Sequence, residues 1–523
     1  MSSRFLVVAA VVGLLGPVLC NGQTARTKQV LPEGWYIKQL ENDKPDIPAL
    51  MREASLPDKT WLSARMPAQV HDVLLQHGQI VDPMFGENAA KYAWVAEKDW
   101  AYSTRFRSPA KSDGPVFLHL DGLDTLATVY LNGSQIGSFN NMHRRYRVDV
   151  RKQLAAPGAE NVLLIVFASA TRFIDQVQLP PSHVGNVTKG RYLRKILDNG
   201  YYLGARPGWM KVGVFRDIWL DVPGPAWIED VWVRPELAPN FKQATLRVRV
   251  ETSGASQPIA WRLLGPSGKE EARGATPAST GPADFAIVVP DPKLWWPRTH
   301  GTPHLYKLSI IIGSGDRVLD SEEVNVGIRE IRAVLNDPAT GEPRFGFEIN
   351  GRPIYWQGAC WAPLELMTLC WNSDRAKRIL DLAEHARMNI LRFWVGSPEA
   401  PKEFYDECDR RGIAVWQDFS FDIGMYPTDA PGFKENVREE LEGIVRRLRN
   451  HPSLLLWAGG NENHMFIDWA CPTSSPAWTQ PATTTRTHRT VVRFPIRRQP
   501  VTSTTTRPST SSRRPPCPPG SPK

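Results

Sequence analysis

Asn389-Ile390-Leu391-Arg392-Phe393-Trp394, the segment Pro401 to Arg411, and Ile413-Ala414-Val415-Trp416-Gln417-Asp418-Phe419 decide the fold. A short apolar run is followed by a stretch with Phe404, Tyr405 and Cys408 at three- and four-residue spacing, and then by a second short run rich in β-branched and aromatic residues. Extended, helical, extended within about 30 residues predicts two parallel strands joined by a crossover helix. The same alternation continues outward. Tyr355 to Cys360 and Leu454 to Trp457 read as further strands, and Asp374 to Arg387 and Phe433 to Arg449 as helices that start near Asp or Gly. Four strands and three helices in alternation predict the first half of a (β/α)8 TIM barrel, placed over 333–470. An open half-barrel leaves strand edges unpaired, so this segment is not expected to hold by itself.

Upstream the period is two. Over 23–223, runs such as Val116 to Asp121 and Thr125 to Leu131, the latter closed by Asn132-Gly133, are hairpin patterns. They predict a jelly-roll-like β-sandwich of the sugar-binding type, with Trp35, Trp94, Trp100, Tyr102 and Phe106 in its core. Over 224–332, the runs Ala244 to Glu251, Ile259 to Leu264, Asp284 to Val289 and Tyr306 to Ile312 predict an immunoglobulin-like β-sandwich. Gly265-Pro266-Ser267-Gly268-Lys269 has the wrong glycine spacing for a phosphate loop, and Glu270 follows its lysine; it reads as a hairpin turn.

The chain is multidomain, and its charge is uneven. The 53 residues from Cys471 carry eight Arg, one Lys and no acid, which equals the whole net charge of +9. The first 470 residues therefore balance, and nucleic acid is not an expected partner. Thr, Ser and Pro make up 30 of those 53 residues, so 471–523 is expected to be a disordered tail, either a frameshifted reading or a basic stalk. Arg4 followed by the apolar run Phe5 to Leu19 reads as a signal peptide over 1–22, which implies export to a periplasmic, extracellular or lysosomal space. No other run is long enough to span a membrane. Six scattered cysteines, without a C-x-x-C pair or H-E-x-x-H, suggest neither a disulfide framework nor zinc, and no cofactor or metal is expected.

A barrel enzyme carries its chemistry at the carboxyl ends of the strands. Those ends hold Trp361 and Glu365, Arg392 and Trp394, Asp418, and Asn461 with Glu462. The last set is the sharpest, because in Trp457-Ala458-Gly459-Gly460-Asn461-Glu462-Asn463 a strand runs into glycines and then presents an amide beside a carboxylate. Such a pair suits glycosidic cleavage, with the carboxylic acid protonating the leaving oxygen and the amide gripping a neighbouring hydroxyl. It also suits a buried Asn–Glu tie that ends a strand.

The residues resemble glycoside hydrolase family 2, and in particular its β-mannosidase branch, over roughly Trp61 to Asn463. The likeness lies in Trp94-Val95-Ala96-Glu97-Lys98-Asp99-Trp100, Gly122-Leu123-Asp124-Thr125, Tyr130-Leu131-Asn132-Gly133 and Asn140-Asn141-Met142. It continues in Leu294-Trp295-Trp296-Pro297, Val326-Gly327-Ile328-Arg329, Asn350-Gly351-Arg352-Pro353, Val415-Trp416-Gln417-Asp418-Phe419 and His451-Pro452-Ser453. The resemblance implies a retaining exo-glycosidase acting on terminal β-D-mannosides, with Glu462 as general acid/base and Asn461 holding the 2-hydroxyl. It further implies that Arg392 supports the nucleophile side, with Trp394 and Asp418 at or behind the pocket wall.

Two departures qualify this. Where the β-mannosidases carry Trp-Asp-Trp-Gly late in the first domain, this chain reads Tyr202-Leu203-Gly204-Ala205-Arg206-Pro207-Gly208-Trp209. After Glu462 the only acidic residue is Asp468, so the second carboxylate of a retaining mechanism has no candidate, and the chain is expected to be truncated and inactive. The alternatives are another family 2 β-glycosidase, of β-galactosidase, β-glucuronidase or exo-β-glucosaminidase type, and a non-catalytic carbohydrate-binding protein. Oligomeric state is not legible.

Overall fold

The computed structural model describes residues 26–461, apart from 42–43, 111–113, 179–189, 197–209, 279–280, 315–316, 338, 366, 423–425 and 429. The expected leader, Glu462, the 202–209 segment and the tail lie outside the described residues.

The first unit is a β-sandwich. One antiparallel sheet of six strands has Asp99–Arg107 and Glu160–Phe167 at its centre, in a register that pairs Trp100 with Phe167 and Tyr102 with Ile165. A second sheet of four strands is built around Phe117–Leu120 and Ile218–Val222. Side chains from both sheets form one core that includes Trp35, Trp100, Tyr102 and Phe106, with Trp94 packed partly buried against it. The aromatics read as core residues are core residues. Asn132 and Gly133 turn the hairpin between Ala127–Leu131 and Ser134–Phe139 with φ of 51° and 83°.

The second unit sets a three-stranded sheet (Ala226–Leu237, Gln243–Gly254, Ala283–Pro290) against a four-stranded one (Glu270–Thr276, Ile259–Leu264, Tyr306–Ser314, Arg317–Val326). Gly265 to Lys269 is the turn between two of these strands, closed by Gly265 N–H donating to Lys269 O at 2.8 Å. A three-stranded antiparallel sheet over 331–353 follows, where the sequence suggested the barrel had already begun.

The parallel sheet consists of β1 (Gly358–Trp361), β2 (Ile390–Phe393), β3 (Ala414–Asp418) and β4 (Leu454–Ala458), hydrogen-bonded in that order. Between them run α1 (Ser373–His385), α2 (Lys402–Arg411) and α3 (Phe433–Leu448). Asn372 caps α1 by accepting from Arg375 N–H, and Gly412 ends α2 in the left-handed region at φ 68°. Gly412 is required twice over, since a Cβ there would lie 2.8 Å from Arg298 N. The buried stripe of α3 is Phe433, Val437, Leu441, Ile444, Val445 and Leu448, with one charged member, Glu440. That face packs with Phe404, Tyr405, Ile413, Val415 and Leu454 into the core between sheet and helices.

Candidate active site

Parallel register brings the first site residues together. Arg392 lies opposite Trp416 in the β2–β3 ladder, and Asp418, two residues further on, points to the same face of the sheet. Arg392 passes over the Trp416 ring at 5.5 Å and grips Asp418 with two nitrogens, Nη2 to Oδ2 at 2.7 Å and Nε to Oδ2 at 3.1 Å. Burial pushes the Asp418 carboxyl up to about 6, against the guanidinium, which pulls it down.

The chain then folds Asn461 onto this pair. After β4, Gly460 takes φ 152°, and a Cβ there would stand 2.3 Å from Phe421 O, so only glycine lets the strand end approach the loop after β3. Asn461 N–H donates to Phe421 O at 2.8 Å. Its side-chain Oδ1 accepts from Arg392 Nη2 at 2.9 Å, and its Nδ2 donates to Asp422 Oδ1 at 3.1 Å. The carboxamide is thereby held with its faces distinguished, leaving one N–H and one acceptor lone pair for a ligand hydroxyl. Glu462, the expected acid/base, is the next residue in the chain and lies outside the described residues.

The sandwich supplies residues that sequence reasoning missed. Arg191 stands 3.7 Å from Asp422 Oδ2, and Arg194 donates to Ser420 O at 3.0 Å while stacking on Phe421 at 4.3 Å. Arg194 also forms a bidentate pair with Glu440 of α3, and Asn141 Nδ2 donates to the same carboxylate at 2.9 Å. Burial raises the Glu440 pKa, but Arg194 and His143 more than reverse this and leave it below the usual carboxylate range. Glu440 did leave a signal in the sequence, a lone carboxylate in an apolar helical stripe. Arg191, Arg194 and Asp422 left none.

The remaining strand-end residues divide. Trp394, half-buried just after β2, donates its backbone N–H to Trp361 O at 3.2 Å and lays its ring against Gly396; it is not in the Arg392–Asp418–Asn461 hydrogen-bond set. Trp361 is core, and Glu365 pairs with Arg375 at 2.7 Å. At the opposite end of the sheet, Asp406, Asp409 and His451 come close enough to suggest a metal. There Lys402 already takes Asp406 at 2.7 Å, while Asp409 Oδ1 accepts Ser453 N–H and its Oδ2 lies 2.6 Å from His451 Nδ1.

Three family models match in order along the chain: a glycosyl hydrolase 2 galactose-binding domain-like model over residues 35–216, a glycosyl hydrolases family 2 model over 226–329, and the family 2 TIM barrel domain over 404–475. The chain belongs to glycoside hydrolase family 2. Within family 2 it is β-mannosidase-like. It is 33% identical over 447 residues to β-mannosidase B of Aspergillus terreus, a match covering 84% of this chain and 51% of that one. β-Mannosidase B of Aspergillus fumigatus is 34% identical over 454 residues, with the same coverage. Among solved structures, the β-D-mannosidase of Dictyoglomus thermophilum superposes with a TM-score of 0.72 at 28% identity, covering 84% of this chain and 52% of that one. A β-glucuronidase from Ruminococcus gnavus shares the fold at a TM-score of 0.60 and 22% identity, covering 87% and 70%. This family 2 chain spans about half the length of the curated relatives it matches.

Proposed function

We propose that the chain carries the acid/base side of a retaining exo-β-mannosidase site, with Glu462 as proton donor and Asn461 as the group that holds the sugar 2-hydroxyl. The observation that carries this reading is the orientation of Asn461, whose two amide ends are fixed by Arg392 and Asp422. A positioned amide at a strand end is what differential binding of a developing oxocarbenium ion needs, because a hydrogen bond to the 2-hydroxyl strengthens as charge builds. Arg392 does two jobs. It pairs with Asp418 and places a cationic hydrogen-bond donor beside Asn461. The kinship with fungal and bacterial β-mannosidases supports a β-mannoside as the sugar. Export is part of the same proposal, supported by Arg4 and the apolar run Phe5 to Leu19.

The test is ligand binding by the chain itself, measured by saturation-transfer NMR with p-nitrophenyl β-D-mannoside, β-D-galactoside and β-D-glucuronide. The mannoside is expected to bind best, and Asn461→Ala to weaken it at least tenfold, since a site built to pair a hydroxyl loses heavily when the partner is removed. Equal binding of the three sugars, indifferent to Asn461→Ala, would sink the proposal.

A further inference from the structure

Asn461 hangs between two ion pairs of opposite polarity. On one side Arg392, paired with Asp418, gives its Oδ1 a donor at 2.9 Å; on the other Asp422, paired with Arg191, gives its Nδ2 an acceptor at 3.1 Å. The first pair lies wholly on strands of the parallel sheet, β2 and β3, whereas the second takes its cation from the sandwich. We infer that Arg191 is a positioning residue for the barrel mouth: acting through Asp422, it makes the setting of the Asn461 carboxamide depend on how the sandwich is seated. This deepens the reading of Asn461 as the group that holds the sugar, and rests on that reading for its effect on ligands.

The backbone of Asp422 is held without help from Arg191. Tyr426 pins it from both directions, its hydroxyl accepting from Asp422 N–H at 2.8 Å and donating to Asp422 O at 3.2 Å. One residue earlier, Phe421 gives its carbonyl to Asn461 N–H at 2.8 Å and its ring to Arg194 at 4.3 Å. Arg194 spends its fork on Glu440, so its part in this corner is to support the loop.

What Arg191 adds is charge. Its guanidinium stands 3.7 Å from Asp422 Oδ2 and lies 5.4 Å over the Tyr426 ring, and the side chains of Arg191 and Asp422 are each only 8% exposed. Among the described residues no other cation comes within 4 Å of this carboxylate. A carboxylate so shielded is unfavourable without a cation beside it, because removing one partner of a buried pair leaves the other uncompensated. Without Arg191 it gains by turning out of its pocket, and Asn461 loses the acceptor-only group that holds its Nδ2 end. The amide is then gripped on the Arg392 side alone.

The experiment uses the full chain with 15N in its asparagine side chains, the Asn461 signals being assigned by their disappearance in Asn461→Asp. Arg191→Met is expected to move the Nδ2 proton that faces Asp422 upfield and to speed its exchange with solvent about fivefold. Arg191→Lys, which keeps the charge, should leave both close to their original values. Asp422→Asn should produce the same change as Arg191→Met, and the two together no more than either, because both act on one contact. Arg26→Met serves as control: Arg26 also bridges two units, pairing with Asp221 and Asp320 at 2.6 and 3.0 Å, but off this path, so its loss should cost stability without moving Asn461. Affinity for p-nitrophenyl β-D-mannoside should fall about threefold in Arg191→Met. Circular dichroism checks folding, and Arg191→Gln replaces the methionine variant if that one unfolds. An Asn461 signal unmoved by loss of Arg191 in a folded chain, one moved equally by Arg26→Met, or an Arg191→Met effect that persists in full beside Asp422→Asn overturns the inference. So does mannoside affinity unchanged by loss of Arg191 while Asn461→Ala weakens it. Sugar binding indifferent to Asn461→Ala sinks the reading of the barrel mouth and leaves the amide signals to decide on Arg191, so the two fail separately.

Discussion

Arg194, of the first unit, donates from Nη2 to Glu440 Oε1 at 2.6 Å and from Nε to Glu440 Oε2 at 2.8 Å, across 246 residues of chain. Both side chains are shielded from solvent, at 3% and 0% exposure. The pair joins the first unit to α3, and through Ser420 and Phe421 it reaches the backbone on which Asn461 rests.

Removing one partner leaves a buried charge uncompensated. Arg194→Met or Glu440→Ala is therefore expected to cost about 3–5 kcal/mol, while Arg194→Lys, which keeps the charge but not the fork, should cost less. Urea unfolding followed by fluorescence measures this. A midpoint unchanged by Arg194→Met would mean that the pair is not shielded as described.

Acid should destabilise the chain below about pH 6.5. Burial pulls His71 down to about 3 and His143 down to about 4, from 6.5, so between those values the unfolded chain takes up protons that the folded one refuses. Stability present above pH 6.5 is lost as the pH falls. Glu399 acts in the same direction lower down. Its burial opposes ionisation, but Arg216, Arg447 and Arg145 hold it at about 2 against a usual 4.5, and its contribution is lost below pH 4.5. Asp418 works the other way, because a carboxyl raised to about 6 is stabilising below 3.8 and loses that contribution as the pH rises to 6. Two histidines outweigh one carboxyl, so the melting temperature should fall between pH 7 and pH 5, at about 2 kcal/mol per histidine at pH 5. His143→Gln should flatten the slope; a melting temperature that rises on acidification in this range would contradict the assignment.

The parallel half of the fold was legible because each apolar run there is short and each intervening segment has helical spacing. Ile390–Phe393 is a strand at the residues read, while the first strand sits at Gly358–Trp361, with Tyr355 off its end and 80% exposed. The strand Glu270–Thr276 escaped notice because it is an edge with no buried residue, so it never needed an apolar face. That Arg392, Asp418 and Asn461 would gather at one end of the sheet could be read because strand ends are countable. Asp422 and Arg191 could not, since nothing in local periodicity says which loops of distant units meet.

In a chain of the relatives' length, Glu462→Ala should discriminate between leaving groups. Protonation of the departing oxygen matters most when that oxygen is basic, so turnover of a β-linked mannobiose should fall by about 10²–10⁴ while an activated dinitrophenyl mannoside loses far less. Steady-state rates on both substrates decide it. Equal losses would make Glu462 a structural tie rather than an acid.

The parallel segment is expected not to fold when cut away from the β units, even though it has its own core. Arg329 donates to Pro452 O at 2.5 Å and to Leu454 O at 2.8 Å, and Trp295 Nε1 to Asp409 O at 2.8 Å, so the second unit satisfies backbone acceptors where β4 begins and in the last turn of α2. Glu440 takes its arginine, Arg194, from the first unit, and Glu399 takes Arg216 from it beside its own Arg447 of α3. Excision would leave those carboxylates buried without their sandwich partners, in addition to the two sheet edges, β1 and β4, that are unpaired among the described residues. A fragment of residues 354–461 should therefore aggregate or show no cooperative melt. In the intact chain, limited proteolysis should protect all three units together to about residue 461. A monodisperse fragment with a sharp thermal transition would show that the sheet–helix core alone is sufficient.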